Sequence, residues 1–355
     1  MSKFFSKKYD ALTPYTPGEQ PRDMQYIKLN TNESPFPPPE AVVEAVKREA
    51  GACNLYSDPT CRALVEEVAK VYKVRPTHVL PTNGSDEILN FAFMAFCDRD
   101  TPAAFADITY GFYEVFARLH GIPYRTIPLK EDFSIDYREY MGVNATVFIA
   151  NPNAPTGLAL SRAQIEEILV SNPDNIVVVD EAYVDFGGES CVSLIDKYEN
   201  LLVTQTFSKS RSLAGARLGL GFANEKLIND LNTLKYSTNP YNVNRMTMTA
   251  GVVALQNQSY FDEKCEEICK TREYTKEKLT KLGFFVLDSK TNFLFIRSDK
   301  IDGERLYNQL KSRGILVRHF NGERIREFNR VTVGTKAQMD AFLLAVTEIL
   351  KENQA

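Results

Sequence analysis

Residues 145–157 read A-T-V-F-I-A-N-P-N-A-P-T-G, and residues 175–183 read N-I-V-V-V-D-E-A-Y. The runs 145–150 and 175–179 are short, continuously apolar and rich in β-branched residues, the pattern of strands buried on both faces of a parallel sheet. A helical pattern at 162–170 lies between them. Outward from this unit, helix and strand keep alternating. Upstream, an amphipathic helix at 62–72, a strand at 78–80, a helix at 85–96 and strand-like segments at 103–105 and 124–127 precede it; downstream, strands are expected at 201–206 and 218–223. The last of these reads L-G-L-G-F-A, with glycines where neighbours crowd the backbone.

The texture changes after Tyr241. Long helical segments run to about residue 282, then strands at 284–287 and 292–297, a helix at 303–313, strands at 315–320 and 330–333, and a closing helix at 336–350. The first thirty residues lack periodicity, and N-E-S-P-F-P-P-P at 32–39 punctuates the entry to a helix at 40–50. The expected fold class is α/β: an N-terminal arm at 1–29, a large α/β domain at 30–245 with a mostly parallel central sheet flanked by helices, and a small α+β domain at 246–355.

Composition narrows the function. The 42 Lys and Arg stand against 46 Asp and Glu, leaving a formal charge of −4 and no broad basic surface for a nucleic-acid backbone. No apolar run reaches the ~18–20 residues that span a bilayer. The lysine-rich start has no apolar segment behind it, so no signal peptide is read and a cytoplasmic enzyme is expected. The six cysteines are too sparse for a disulfide framework. Cys265 and Cys269 stand four apart with no partnering Cys or His, and His78, His120 and His319 are scattered, so no metal site is expected. Neither H-x-x-x-H nor G-x-S-x-G occurs. The chemistry is therefore expected to rest on Lys, Asp, Tyr and Arg, or on a cofactor.

In open parallel sheets, ligands bind beyond the carboxyl ends of the strands, and four polar segments follow apolar runs there. T-N-G-S-D-E at 82–87 opens a helix, whose free N–H groups and dipole suit an anion; a plain capped helix start has the same sequence. N-P-N-A-P-T-G at 151–157 is, alone, a proline-and-glycine turn. Asp180 ends a doubly buried strand and needs a partner, for which a cationic ligand nitrogen and a structural ion pair serve equally. Lys209 follows the strand at 201–206, flanked by Ser208 and Ser210, with Arg217 eight residues on; an exposed loop lysine is the bland alternative. The G-L-G at 219–221 lacks the third glycine of a dinucleotide fingerprint. Jointly the four segments give an anion cradle, a loop over a ring, a carboxylate for a ring nitrogen and a reactive lysine, which is what pyridoxal phosphate requires.

With these motifs in that order the chain resembles the fold-type I pyridoxal-phosphate enzymes of the class II aminotransferase family, from L-T-P-Y at 12–15 and L-N-T-N-E at 29–33 to R-V-T-V-G-T at 330–335. The resemblance implies that Lys209 takes up the cofactor aldehyde and moves the proton, that Asp180 partners the pyridine nitrogen, and that Tyr183 donates to the ring oxygen. It implies a phosphate cradle of Gly84, Ser85 and Asp86 with Thr206, Ser208 and Arg217, and a ring-stacking Tyr110. Tyr56 matches a tyrosine that reaches the phosphate in the neighbouring subunit, which implies a homodimer with shared sites. Arg318 and Arg330 match two anion-binding arginines, with Tyr15 of the arm beside them. The implied activity is transamination of histidinol phosphate with 2-oxoglutarate to imidazole acetol phosphate and glutamate, in histidine biosynthesis. Aromatic amino-acid transamination and threonine-phosphate decarboxylation are the related alternatives. In one departure, the asparagine that commonly precedes P-T-G is Ala154, with Asn153 the nearest amide.

Overall fold

The computed structural model describes residues 2–10 and 12–353, so positions 1 and 11 of the expected arm and positions 354–355 of the expected C-terminal domain lie outside the described residues. A seven-stranded sheet runs in the order Val79–Thr82, Gly219–Ala223, Leu201–Thr206, Val177–Asp180, Thr146–Ala150, Ala103–Ala106, Tyr124–Ile127. The last five strands are mutually parallel, and only Gly219–Ala223 runs against both its neighbours. The expected mostly parallel α/β sheet is the one observed.

The period of two explains why the two opening runs are apolar without a break. Val147, Ile149, Val177 and Val179 enter one core with Leu64, Val68, Ile165, Ile168 and Ala250. Phe148 and Val178 enter the opposite core with Ile88, Phe93, Phe116 and Leu231. Each side chain removed from water contributes about 1.5–3 kcal/mol, and helices on both faces are what make every position count. In register, Ala150 lies beside Asp180 and Asp180 beside Thr204, so the first two strands end at one level and Leu201–Thr206 runs two residues beyond it.

Two helices, Phe112–His120 and Glu225–Thr238, were not expected from the sequence. The first is dense in aromatic residues that read equally as strand, and the second carries Asn, Thr and Ser at poor helix positions, with Asn224 capping it through bonds to the N–H groups of Lys226 and Leu227. The expected strand at 315–320 divides: Ile315–Leu316 pairs in parallel with Ile27–Lys28, while Arg318–His319 pairs with Asn329–Thr332.

The smaller sheet is antiparallel, in the order Arg318–His319, Asn329–Thr332, Phe293–Ser298, Phe284–Val286. Its core joins Leu294, Ile296 and Val331 to Met339, Phe342 and Val346 of the closing helix, and Leu29 enters it from the chain's beginning. The helix Arg245–Gln256 packs Ala250 and Ala254 into the larger core, so packing is continuous across position 245. The passage between cores falls inside the helix Gln258–Lys281, where Phe261 joins the larger core and Cys265 and Ile268 the smaller.

Candidate active site

The loops that leave the ends of the parallel strands meet in a recess. Ser85, Asp86, Tyr110, Asp180, Tyr183, Thr206, Ser208, Lys209 and Arg217 line it, with Ala154. Asp180 is buried and accepts hydrogen bonds from the Tyr113 hydroxyl (2.9 Å) and the Ala182 N–H (3.2 Å). Neither partner is a cation. Burial pushes the Asp180 carboxyl up to about 6, while those two hydrogen bonds oppose the rise. A carboxylate so placed lacks a cationic partner among the described residues.

Lys209 points its Nζ at the Thr31 carbonyl, 3.2 Å away, and 5.9 Å from the Tyr183 ring centroid. Burial, reinforced by the Arg330 guanidinium, pulls its amine down to about 8; Glu33 works the other way. The amine is thus largely neutral a little above pH 8, where an ordinary lysine stays charged. Its reaction with pyridoxal phosphate in cofactor-stripped protein is expected to rise through a midpoint near pH 8. Stopped-flow absorbance against pH measures this, and a midpoint above pH 10 would contradict it.

The cradle is built around the start of the helix Ser85–Phe96. Gly84 caps that helix at φ +82° with no side-chain hydrogen bond, leaving the first turn to an outside anion. A Cβ at Gly84 would fall 2.5 Å from Arg217 Nη2, and one at Gly219 would fall 2.4 Å from the Gly84 carbonyl carbon. The G-L-G therefore serves close packing of a strand beneath the cradle. Arg217 pairs with Asp86 at 3.0 Å and donates to Ser208 Oγ at 3.3 Å, and Thr206 Oγ1 donates to Ser208 Oγ at 3.0 Å. Tyr110 donates to Asp86 at 2.7 Å, which fixes its ring at the wall of the recess.

A second hollow shares Tyr110, Ala154, Tyr183 and Lys209 with the first and extends to Tyr15, Arg318 and Arg330. The arginines are register partners on adjacent strands. Among the described residues both meet backbone carbonyls and neither forms a salt bridge. Arg330 donates to the Asn30 carbonyl (3.0 Å) and has a buried Nε with no partner among the described residues, while Arg318 donates to the carbonyls of Thr16 and Pro17. Tyr15 stacks on Phe112 at 4.4 Å.

Tyr56 stands apart. It is 80% exposed, stacks on Tyr241 at 4.6 Å and does not border the recess of its own chain. Asn153 does not take the place of an asparagine at 154: its amide donates to the Ile108 carbonyl and Thr156, and its oxygen accepts from Thr109. Sequence reasoning passed over Tyr113, Thr31 and Asn32. Tyr113 lies one turn beyond Tyr110, a relation visible only once 112–120 is read as helix, and Asn32 stands within the quoted L-N-T-N-E.

These residues fit the cofactor that the sequence resemblance implies. The buried acid has no cation, the lysine is depressed, and the helix start admits an anion because Gly84 has no side chain. Among the described residues no group of three His, Cys, Asp or Glu is placed for a metal ion, and no helix is long and apolar enough to cross a membrane.

The family profile described as aminotransferase class I and II matches residues 24–346. A histidinol-phosphate aminotransferase of Brachyspira hyodysenteriae is 49% identical over 353 residues, covering 99% of this chain and 100% of that one. One from Clostridium acetobutylicum is 45% identical over 351 residues, covering 99% and 100%. The crystal structure of histidinol-phosphate aminotransferase from Sinorhizobium meliloti in complex with pyridoxal-5'-phosphate superposes with a TM-score of 0.85 at 23% identity, over 92% of each chain, and shares the fold. The chain belongs to the class I and II aminotransferase family.

Proposed function

We propose that this chain is a pyridoxal-phosphate-dependent transaminase that converts histidinol phosphate and 2-oxoglutarate to imidazole acetol phosphate and glutamate. The observation that carries the reading is the pair Arg318 and Arg330, set side by side in the hollow that also holds Lys209. Full-length likeness to two histidinol-phosphate aminotransferases supports the substrate.

When bound, pyridoxal phosphate supplies a protonated ring that draws electrons from the substrate's amine-bearing carbon. Asp180 holds the proton on the ring nitrogen, and its burial among Tyr113 and Ala182 contacts keeps that ion pair dry. Gly84, Ser85 and Asp86 present the helix start to the phosphate, with Thr206, Ser208 and Arg217 around it. Tyr110 supports the ring face, and Tyr183 gives a hydroxyl to the ring oxygen. Lys209 would take a proton from the amine-bearing carbon and return it two bonds further on, on the far side of the nitrogen, a task suited to an amine poised near neutrality. Arg318 and Arg330 offer planar forks that accept either carboxylate or phosphate, so glutamate and histidinol phosphate can use one place in turn, with Tyr15 adding a hydroxyl.

Purified protein given histidinol phosphate and 2-oxoglutarate is expected to form glutamate; carbon dioxide released from threonine phosphate would make it the decarboxylase instead. The working form in this reading is a cytoplasmic homodimer. Six free cysteines, four of them buried, suit a reducing compartment. Tyr56, outside its own chain's recess, suits service to a partner's phosphate site. Mixing Lys209→Ala chains with Tyr56→Phe chains is expected to regenerate sites free of both lesions and raise activity above either parent. Hybrids with no gain, once subunit exchange is demonstrated, would contradict the shared site.

A further inference from the structure

Three consecutive residues each hold one of the side chains on which the proposed reaction depends. The Asn30 carbonyl accepts from Arg330, the Thr31 carbonyl accepts from Lys209, and the Asn32 side-chain amide donates to the Tyr183 hydroxyl oxygen at 2.9 Å. The first two contacts are made by backbone. The third belongs to a side chain, and everything about Asn32 serves to aim it.

Asn32 is 1% exposed and sits at φ +57°, a left-handed conformation that asparagine tolerates better than most residues. Its N–H donates to Thr332 Oγ1 at 3.0 Å, and Thr332 Oγ1 in turn donates to Asn32 Oδ1 at 3.0 Å. Its carbonyl accepts from Asn292 Nδ2 at 3.0 Å. With Oδ1 committed to the threonine proton, the amide can meet Tyr183 only through its NH2, which settles which way the side chain is turned. A phenol has one proton. Because its oxygen already receives an N–H from Asn32, its own hydrogen is directed elsewhere, and Tyr183 lines the recess that Lys209 enters. The same bond works against the upward push that burial gives the phenol.

We propose that Asn32 is a positioning residue that commits the Tyr183 hydroxyl to donating toward the cofactor's ring oxygen. The inference rests on the pyridoxal-phosphate reading and adds to it a residue far from Tyr183 in sequence. It also gives Thr332 a role, since the strand that carries Arg330 holds the Asn32 amide in its orientation two residues further on.

The test compares two ligands that need no bond to Lys209, pyridoxamine phosphate and its 3-deoxy analogue, which lacks the ring oxygen. Their dissociation constants are measured by titration calorimetry on the full-length chain stripped of cofactor. Asn32→Gly keeps the left-handed backbone open and removes the amide, while Asn32→Asp replaces the donor with an acceptor that captures the phenol proton. Both variants are expected to weaken pyridoxamine phosphate on the order of tenfold while changing the 3-deoxy analogue less than about twofold. In a Tyr183→Phe background, Asn32→Gly is expected to leave the ratio of the two ligands unchanged. Equal weakening of both ligands with Tyr183 intact, or a ratio that still changes in the Tyr183→Phe background, would overturn the proposal by reducing Asn32 to a structural support. Failure of the unmodified chain to bind either ligand would instead overturn the pyridoxal-phosphate reading, and this inference with it.

Discussion

Lys209→Ala is expected to lower turnover by about 10²- to 10⁴-fold or more, since in the proposed function it removes both the amine that takes up the cofactor and the base that moves the proton. The phosphate cradle does not pass through this side chain. The contacts among Asp86, Thr206, Ser208 and Arg217 do not involve it, so the variant should still bind pyridoxal phosphate, though more weakly. Borohydride separates the two effects. It should fix the cofactor to the unmodified chain at Lys209 and leave the variant unlabelled at that site, as peptide mass analysis would report. Cofactor fixed within the recess of the variant, or turnover close to that of the unmodified enzyme, would remove Lys209 from its role.

Arg330→Ala carries the second large effect. The guanidinium lies in the hollow beside Lys209, its Nε is buried without a partner among the described residues, and its charge is one cause of the depressed lysine. A charge-assisted hydrogen bond lost from such a place costs on the order of 1.5–3 kcal/mol, or roughly 10- to 100-fold in affinity. The loss should fall on histidinol phosphate and spare unphosphorylated histidinol, erasing most of the preference between them. With the neighbouring cation gone, the lysine midpoint near pH 8 should also move upward. Single-turnover rates for the two amines, taken across pH, read both consequences; equal loss for both amines would mean that Arg330 supports the fold and not the anion.

The residues that were legible in the sequence are those whose neighbours in the chain betray them. Asp180 follows an unbroken apolar run, which announces where its strand ends, and Lys209 follows a strand that opens L-L-V at 201–203. Gly84 and Asp86 open a helix whose limits follow from its pattern. Other parts of the site depend on contacts that no local pattern records. Tyr113 reaches Asp180 from a helix whose aromatic residues resemble a strand, and Asn32 reaches Tyr183 from an irregular segment anchored on Thr332. The Thr31 contact with Lys209 uses a backbone carbonyl, which any residue would supply. Asn153 illustrates the reverse case: its position beside Ala154 invites the missing role, yet its amide is already satisfied within the loop.

In the proposed function the two arginines make this aminotransferase a reader of phosphate. The most direct measurement is the single-turnover conversion of the pyridoxal form to the pyridoxamine form, followed by absorbance, with histidinol phosphate, histidinol, phenylalanine and tyrosine compared at equal concentration. Histidinol phosphate is expected to react far faster than histidinol and faster than either aromatic amino acid. Phenylalanine or tyrosine outpacing histidinol phosphate would contradict the account and identify an aromatic amino-acid aminotransferase in its place.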